Sequence, residues 1–132
     1  MQRFADRGAA GRALAALLQT RGIEAVPPAL VVGLARGGVI VAAEVARLLN
    51  APLDVIVVRK LGLPGQPEFA MGAIAAGVQV LNEALIAEYG VHDTALDAVV
   101  QSETRELLRR EQAYHAGHAA LDPGNRRVLL VD

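Results

Sequence analysis

The segment Leu30 to Val41, LVVGLARGGVIV, constrains this chain more than any other: an apolar run ends in Gly33-Leu34-Ala35-Arg36-Gly37-Gly38, and a helical pattern starts directly behind it. A strand that stops at a glycine-rich turn and feeds a helix presents bare backbone N–H groups and the positive end of a helix dipole. Such a turn is an anion cradle, and Arg36 adds a full charge to it. Two further polar clusters close later apolar runs, Arg59-Lys60 after DVIVV and Asp132 after RVLLV. In a parallel sheet all three would share one rim. Backbone donors and cations suit a diphosphate, and the acid suits Mg2+ or a sugar diol. GLARGG is neither GxGxxG nor a Walker A string, since no Gly-Lys-Ser/Thr follows, so a phosphosugar site fits better than a dinucleotide or ATP site.

The composition narrows the partners. With 132 residues, 53% hydrophobic and 20% charged, the chain is expected to form one domain over residues 1–132 with a real core. A net charge of -1 argues against broad electrostatic binding of nucleic acid, and 3% aromatics leave few platforms for stacking bases. No cysteine is present, which excludes disulfides, thiolate metal sites and a cysteine nucleophile. There is no signal-peptide core and no run of about 18 apolar residues to span a bilayer, so no membrane partner and a cytoplasmic location are expected. Lys60 is the sole lysine in an arginine-rich chain.

Periodicity supplies the order of elements. Ala10, Leu14, Leu17 and Leu18 recur at helical spacing between Asp6 and Thr20, with Gly22 as the stop. Pro27-Pro28 breaks that pattern, Leu30 to Leu34 reads as a buried strand, and Val39 to Leu49 reads as a helix closed by Asn50. Val55 to Val58 is a second strand, and the strand, helix, strand order implies a right-handed crossover and a parallel sheet flanked by helices. Gly62, Pro64, Gly65 and Pro67 crowd the next stretch, which is expected to be a mobile loop. Phe69 to Ala75 and Val78 to Leu81 suit a small antiparallel hairpin turning at Ala76-Gly77. Asn82 is placed to cap a short helix ending at Gly90, and Thr94 to cap a long one reaching about His115, with Leu96, Val99, Val100, Leu107 and Leu108 as its apolar stripe. Glu106 and Arg110 are spaced to pair on its wet side. Arg127 to Val131 reads as a buried strand. A sheet seldom closes on such a strand, so this is expected to be the front part of a larger α/β domain, incomplete at its C-terminus.

Three further features carry no chemistry. His115-x-x-His118 has a spacing that occasionally binds zinc, but without a third ligand nearby it reads as helix-end histidines complementing the dipole, and no metal ligand is assigned. Glu68 reads as a solvated loop residue. Ser102, the lone serine, lies mid-helix without a glycine elbow, which excludes a serine hydrolase.

The order of motifs resembles the type I phosphoribosyltransferases, and within them bacterial proteins carrying an RGG turn, then VAAEVAR, PLDVIVVRKLG, a Gly and Pro loop, a GAIA strand and a VLN strand. The resemblance implies a Rossmann-like α/β fold and a pyrophosphate loop at the RGG turn, with a non-proline cis peptide near Ala35-Arg36. It assigns binding of phosphoribosyl pyrophosphate (PRPP) to Arg36, Gly37, Gly38, Arg59, Lys60 and Asp132, the first acid of the family's signature; no catalytic residue is assigned. The activity implied is transfer of ribose 5-phosphate from PRPP to a nitrogen nucleophile of the nucleobase kind, with Mg2+ and release of pyrophosphate, impaired in a chain that stops at the first acid. The alternatives are a non-catalytic phosphate or nucleotide module and a self-associating structural fragment. A homo-oligomer, most simply a dimer, is the expected state.

Overall fold

The computed structural model describes residues 3–22, 29–116 and 122–132. The elements in chain order are α1 (Arg7–Thr20), β1 (Ala29–Leu34), α2 (Gly37–Leu49), β2 (Leu53–Ile56), β3 (Arg59–Leu63), β4 (Gln66–Ala75), β5 (Val78–Leu81), α3 (Glu83–Glu88), α4 (Asp93–Tyr114) and β6 (Arg127–Val131). They fall into two compact units, Met1–Ile56 with Gly117–Asp132, and Val57–Ala116. This is the expected α/β architecture, a parallel sheet flanked by helices together with antiparallel structure.

In the first unit the sheet order is β2-β1-β6, all parallel, with Val31 aligned to Leu53 on one side and Leu129 on the other. Its core is built from Ala15, Val31, Ala42, Val45, Ala46, Leu49 and Val131. Ala42, Val45, Ala46 and Leu49 recur at helical spacing, which gives α2 one apolar face. Asn50 ends it in the left-handed conformation with φ 53°, as its position after the apolar run predicts. Asp6 caps α1 by accepting from the Ala9 amide at 2.7 Å, and Gly22 follows its end with φ 71°. Pro27 and Pro28 lie outside the described residues.

Strand β6 corrects an expectation. Its apolar run reads as buried, yet β6 is an edge strand: Val131 is buried and Leu129 packs on the core, whereas Val128 and Leu130 on the other face are 41% and 64% exposed. Pleating sends alternate side chains to opposite faces, and an edge strand has a neighbour on one side alone. The second strand also stops earlier than its apolar run: β2 ends at Ile56, and Val57-Val58 lie outside the sheet.

The second unit is an antiparallel sheet of order β3-β4-β5, with α4 packed against β3 and β4. Here the expected mobile loop is instead the hairpin β3–β4. Pro64-Gly65 forms its two-residue turn, with Gly65 at φ 79°, a conformation that costs other residues about 1 kcal/mol or more. Pairing shifts register on both sides of Gly62, and this bulge accommodates Pro67, which cannot donate to a regular ladder. The hairpin turning at Ala76-Gly77 is present as expected. Asn82 caps α3 by accepting from the Leu85 amide at 3.1 Å. Thr94 is not a cap, because α4 begins one residue earlier, at Asp93, behind His92. In the expected stripe of α4, Leu107 is buried and Leu96, Val99 and Val100 are half-buried, whereas Leu108 is exposed. Glu106 accepts from Arg110 at 2.8 Å as its spacing predicts, and also from Arg109. No helix among the described residues is long and apolar enough to cross a membrane.

Candidate functional site

The glycine-rich turn occupies the C-terminal end of β1. The Ala35 amide donates to the Ile56 carbonyl at 3.0 Å, tying the turn to the end of β2. The peptide between Ala35 and Arg36 is cis, as the resemblance implies. Arg36 stands at the N-cap of α2 and makes no side-chain capping bond, and no acid lies in the helix's first turn. The first amides of α2 therefore lack the carboxylate or hydroxyl partner that usually satisfies a helix start.

Two glycines let other groups approach this helix start. A Cβ on Gly38 would lie 2.6 Å from the Val131 carbonyl oxygen and 2.9 Å from the Asp132 Cα, so the end of β6 rests on the backbone of the turn. The structure thereby brings Arg36, Gly37, Gly38 and Asp132 together at one sheet end. A Cβ on Gly37 would lie 3.1 Å from Nε of Arg7, whose guanidinium sits against the turn from α1. Arg7 was not singled out by sequence, because its proximity depends on how α1 packs on α2; the one local signal is that it follows the capping Asp6.

Arg59 and Lys60 are placed differently from expectation. They are not the end of a parallel strand on the shared rim; they open β3 of the antiparallel sheet. The DVIVV run leaves the parallel sheet at Ile56, and the basic pair falls in the next strand. Arg59 donates from Nε to Glu103 Oε2 at 2.7 Å, with both side chains about one-quarter exposed (27% and 24%). Neighbouring strand residues point to opposite faces, so Arg59 turns toward α4 and Lys60 away from it. Lys60 is exposed, and its side chain has no hydrogen-bond or ion-pair partner among the described residues.

A groove of about 640 Å³ runs along α1, lined by Phe4, Leu14, Leu17, Thr20, Val41 and Asp132; its walls are mainly apolar and hold no cation. Among the described residues no three His, Cys, Asp or Glu side chains cluster to hold a metal. His115 is the C-cap of α4, and His118 lies outside the described residues. The Glu106 carboxyl on α4 is held down to a pKa of about 2 by hydrogen bonds from Arg109 and Arg110.

Known proteins share this chain's sequence and fold. No family model matches it. Two Mycobacterium tuberculosis proteins, from strains CDC 1551 and H37Rv, are each 47% identical over 133 residues and both carry the name "Putative phosphoribosyl transferase". The alignment takes in all of this chain and 29% of each of those proteins. The crystal structure of TT1426 from Thermus thermophilus superposes with a TM-score of 0.78 at 41% identity, covering 99% of this chain and 61% of that one. The chain thus spans about three-tenths of the curated relatives and three-fifths of the solved one. Along its whole length it is a homologue of proteins named as phosphoribosyl transferases, with the α/β fold of the Thermus protein.

Proposed function

We propose that the chain carries the diphosphate-binding part of a phosphoribosyltransferase site, one that transfers ribose 5-phosphate from PRPP to a nitrogen nucleophile of the nucleobase kind. The observation that carries this reading is the uncapped start of α2, where Arg36 is exposed, Gly37 is half-buried and Asp132 is set against Gly38. The amides following Arg36 donate to diphosphate oxygens, and the Arg36 guanidinium adds a charge-assisted contact. In the transfer the C1–O bond to the diphosphate breaks, its electron pair leaves with the diphosphate, and a C1–N bond forms to the acceptor. Donors fixed before reaction stabilise that departing charge.

Mg2+ fits as a passenger of the ligand. Asp132 is the sole carboxylate assigned to the turn, and Mg2+ is commonly held by one or two carboxylates together with phosphate oxygens. When bound, the ion neutralises charge on the leaving diphosphate. Asp132 is the residue to hold it, or to accept from the ribose hydroxyls. The resemblance assigns Arg59 and Lys60 to the same ligand; of the two, Lys60 has no partner among the described residues, while Arg59 is engaged by Glu103.

A second reading is a phosphate-binding module without turnover. A third is self-association to a dimer through the exposed Val128 and Leu130 of the β6 edge. Calorimetric titration with pyrophosphate and with PRPP, with and without Mg2+, tests the leading reading. Binding by the chain that Arg36→Ala removes supports it, and a folded chain that binds neither ligand refutes it. Turnover by a full-length relative then separates enzyme from module.

A further inference from the structure

The antiparallel sheet β3-β4-β5 has two edges, and the sequence treats them oppositely. The β3 edge carries exposed Lys60, register shifts on both sides of Gly62 and a proline, Pro64, at its turn. A charge, a bulge and a proline each discourage a further strand from pairing. The β5 edge, Val78–Leu81, holds no charge and no proline, and it pairs with β4 without a register shift. Val78 and Val80 share one face of this strand and are 58% and 62% exposed.

The backbone of β5 is only half engaged. The Asn82 amide donates to the Met71 carbonyl at 2.8 Å, and a Cβ on Gly72 would run into the Val80 carbonyl oxygen, so the even-numbered residues turn their backbone groups toward β4. These directions alternate along an antiparallel strand, which aims the N–H and C=O groups of Gln79 and Leu81 outward. Among the described residues no hydrogen bond reaches those outward groups. On the α4 side of the same edge lies an apolar groove of about 310 Å³, lined by Ile74, Ala75, Val78, Thr104, Leu107 and Leu108, with Leu108 half exposed to solvent.

We propose that the β5 edge is where a second copy of this chain docks, joining two three-stranded sheets into one continuous sheet about a two-fold axis at Val80. With the axis there, Gln79 of each copy lies opposite Leu81 of the other, and the outward groups exchange N–H···O bonds on both sides of the axis. Val80 lies opposite its own copy at the close position between those bonds, with Cβ atoms roughly 5 Å apart. A second copy is the fitting occupant because an antiparallel edge is self-complementary under a two-fold axis, and this edge has no charge to repel itself. Four strand residues a side fall short of the roughly 1,200 Å² at which specific interfaces begin, and Leu108 with its groove extends the apolar surface beside them. The contact is accordingly a concentration-dependent dimer. It uses a surface separate from the β6 edge, and it stands without any ligand at the turn before α2.

The test is sedimentation velocity of the chain over a range of concentrations, beside Val80→Lys and Leu130→Lys, each variant checked by thermal melting. The expected result is a dimer that dissociates on dilution. Its affinity falls more than about tenfold in Val80→Lys, where two like charges would face each other, and stays within about twofold of the parent in Leu130→Lys. The chain has no cysteine, so Val80→Cys reads the geometry separately. Under air oxidation it is expected to form a disulfide-linked dimer that Leu130→Cys does not form. A parent that is monomeric at every concentration, a dimer that survives Val80→Lys, one that Leu130→Lys abolishes, or a Val80→Cys chain that does not link would each overturn the proposal.

Discussion

The carbonyl oxygen of Val131 lies 2.6 Å from the point a Cβ on Gly38 would occupy, so the end of β6 and the first turn of α2 meet backbone to backbone. Neither side of that contact can swing away as a side chain can. Gly38→Ala is therefore expected to destabilise the chain by about 1–3 kcal/mol through overpacking. Gly37→Ala differs, because the atom in its way is the far end of the flexible Arg7 side chain. Its stability is expected to stay within about 0.5 kcal/mol of the parent. Urea denaturation of the two variants checks this contrast; equal effects would contradict the packing described.

Much of this unit was legible before its structure. The cap at Asp6, the stop at Gly22, strand β1 and the closing Asn50 follow from local chemistry, and local chemistry decides them. The hairpin β3–β4 was not legible, since a bulge at Gly62 and prolines at 64 and 67 erase the two-residue alternation that marks a strand. The exposure of Val128 and Leu130 was hidden for another reason: VLLV reads as buried whether or not a neighbour covers its second face. At the site, Arg36, Gly37, Gly38 and Asp132 meet as their strand-end positions predict. Arg59-Lys60 do not end a parallel strand, and Arg7 joins the turn only through the packing of α1 on α2, which no local pattern encodes.

The Arg59–Glu103 pair joins β3 to α4 at 2.7 Å and is about three-quarters buried on both sides. A double-mutant cycle with Arg59→Ala and Glu103→Ala is expected to give a coupling of about 1 kcal/mol, at the upper end for a pair that retains some solvent contact. A coupling near zero would show that the pair does not hold helix to sheet.

Glu106 accepts from Arg109 and Arg110, and these hydrogen bonds lower its pKa from the ordinary 4.5 to about 2. A carboxyl held below its unfolded value stabilises the fold above that unfolded value, and the contribution disappears as pH falls from about 4.5 through about 2. Carboxyl NMR is expected to follow Glu106 titrating near the lower limit of that window. Glu106→Gln should flatten the pH dependence of stability across it, and salt should weaken the effect because the pair is exposed. A midpoint near 4.5 would contradict the hydrogen-bonded geometry.

The central claim is that the start of α2 is an anion cradle, and amide-resolved NMR during a pyrophosphate titration in Mg2+ tests it most directly. The largest saturable shifts are predicted at the Gly37 and Gly38 amides, with a matching change at the Arg36 guanidinium protons and loss of the amide shifts in Arg36→Ala. Saturable shifts centred elsewhere, or none in a folded chain, would contradict the account.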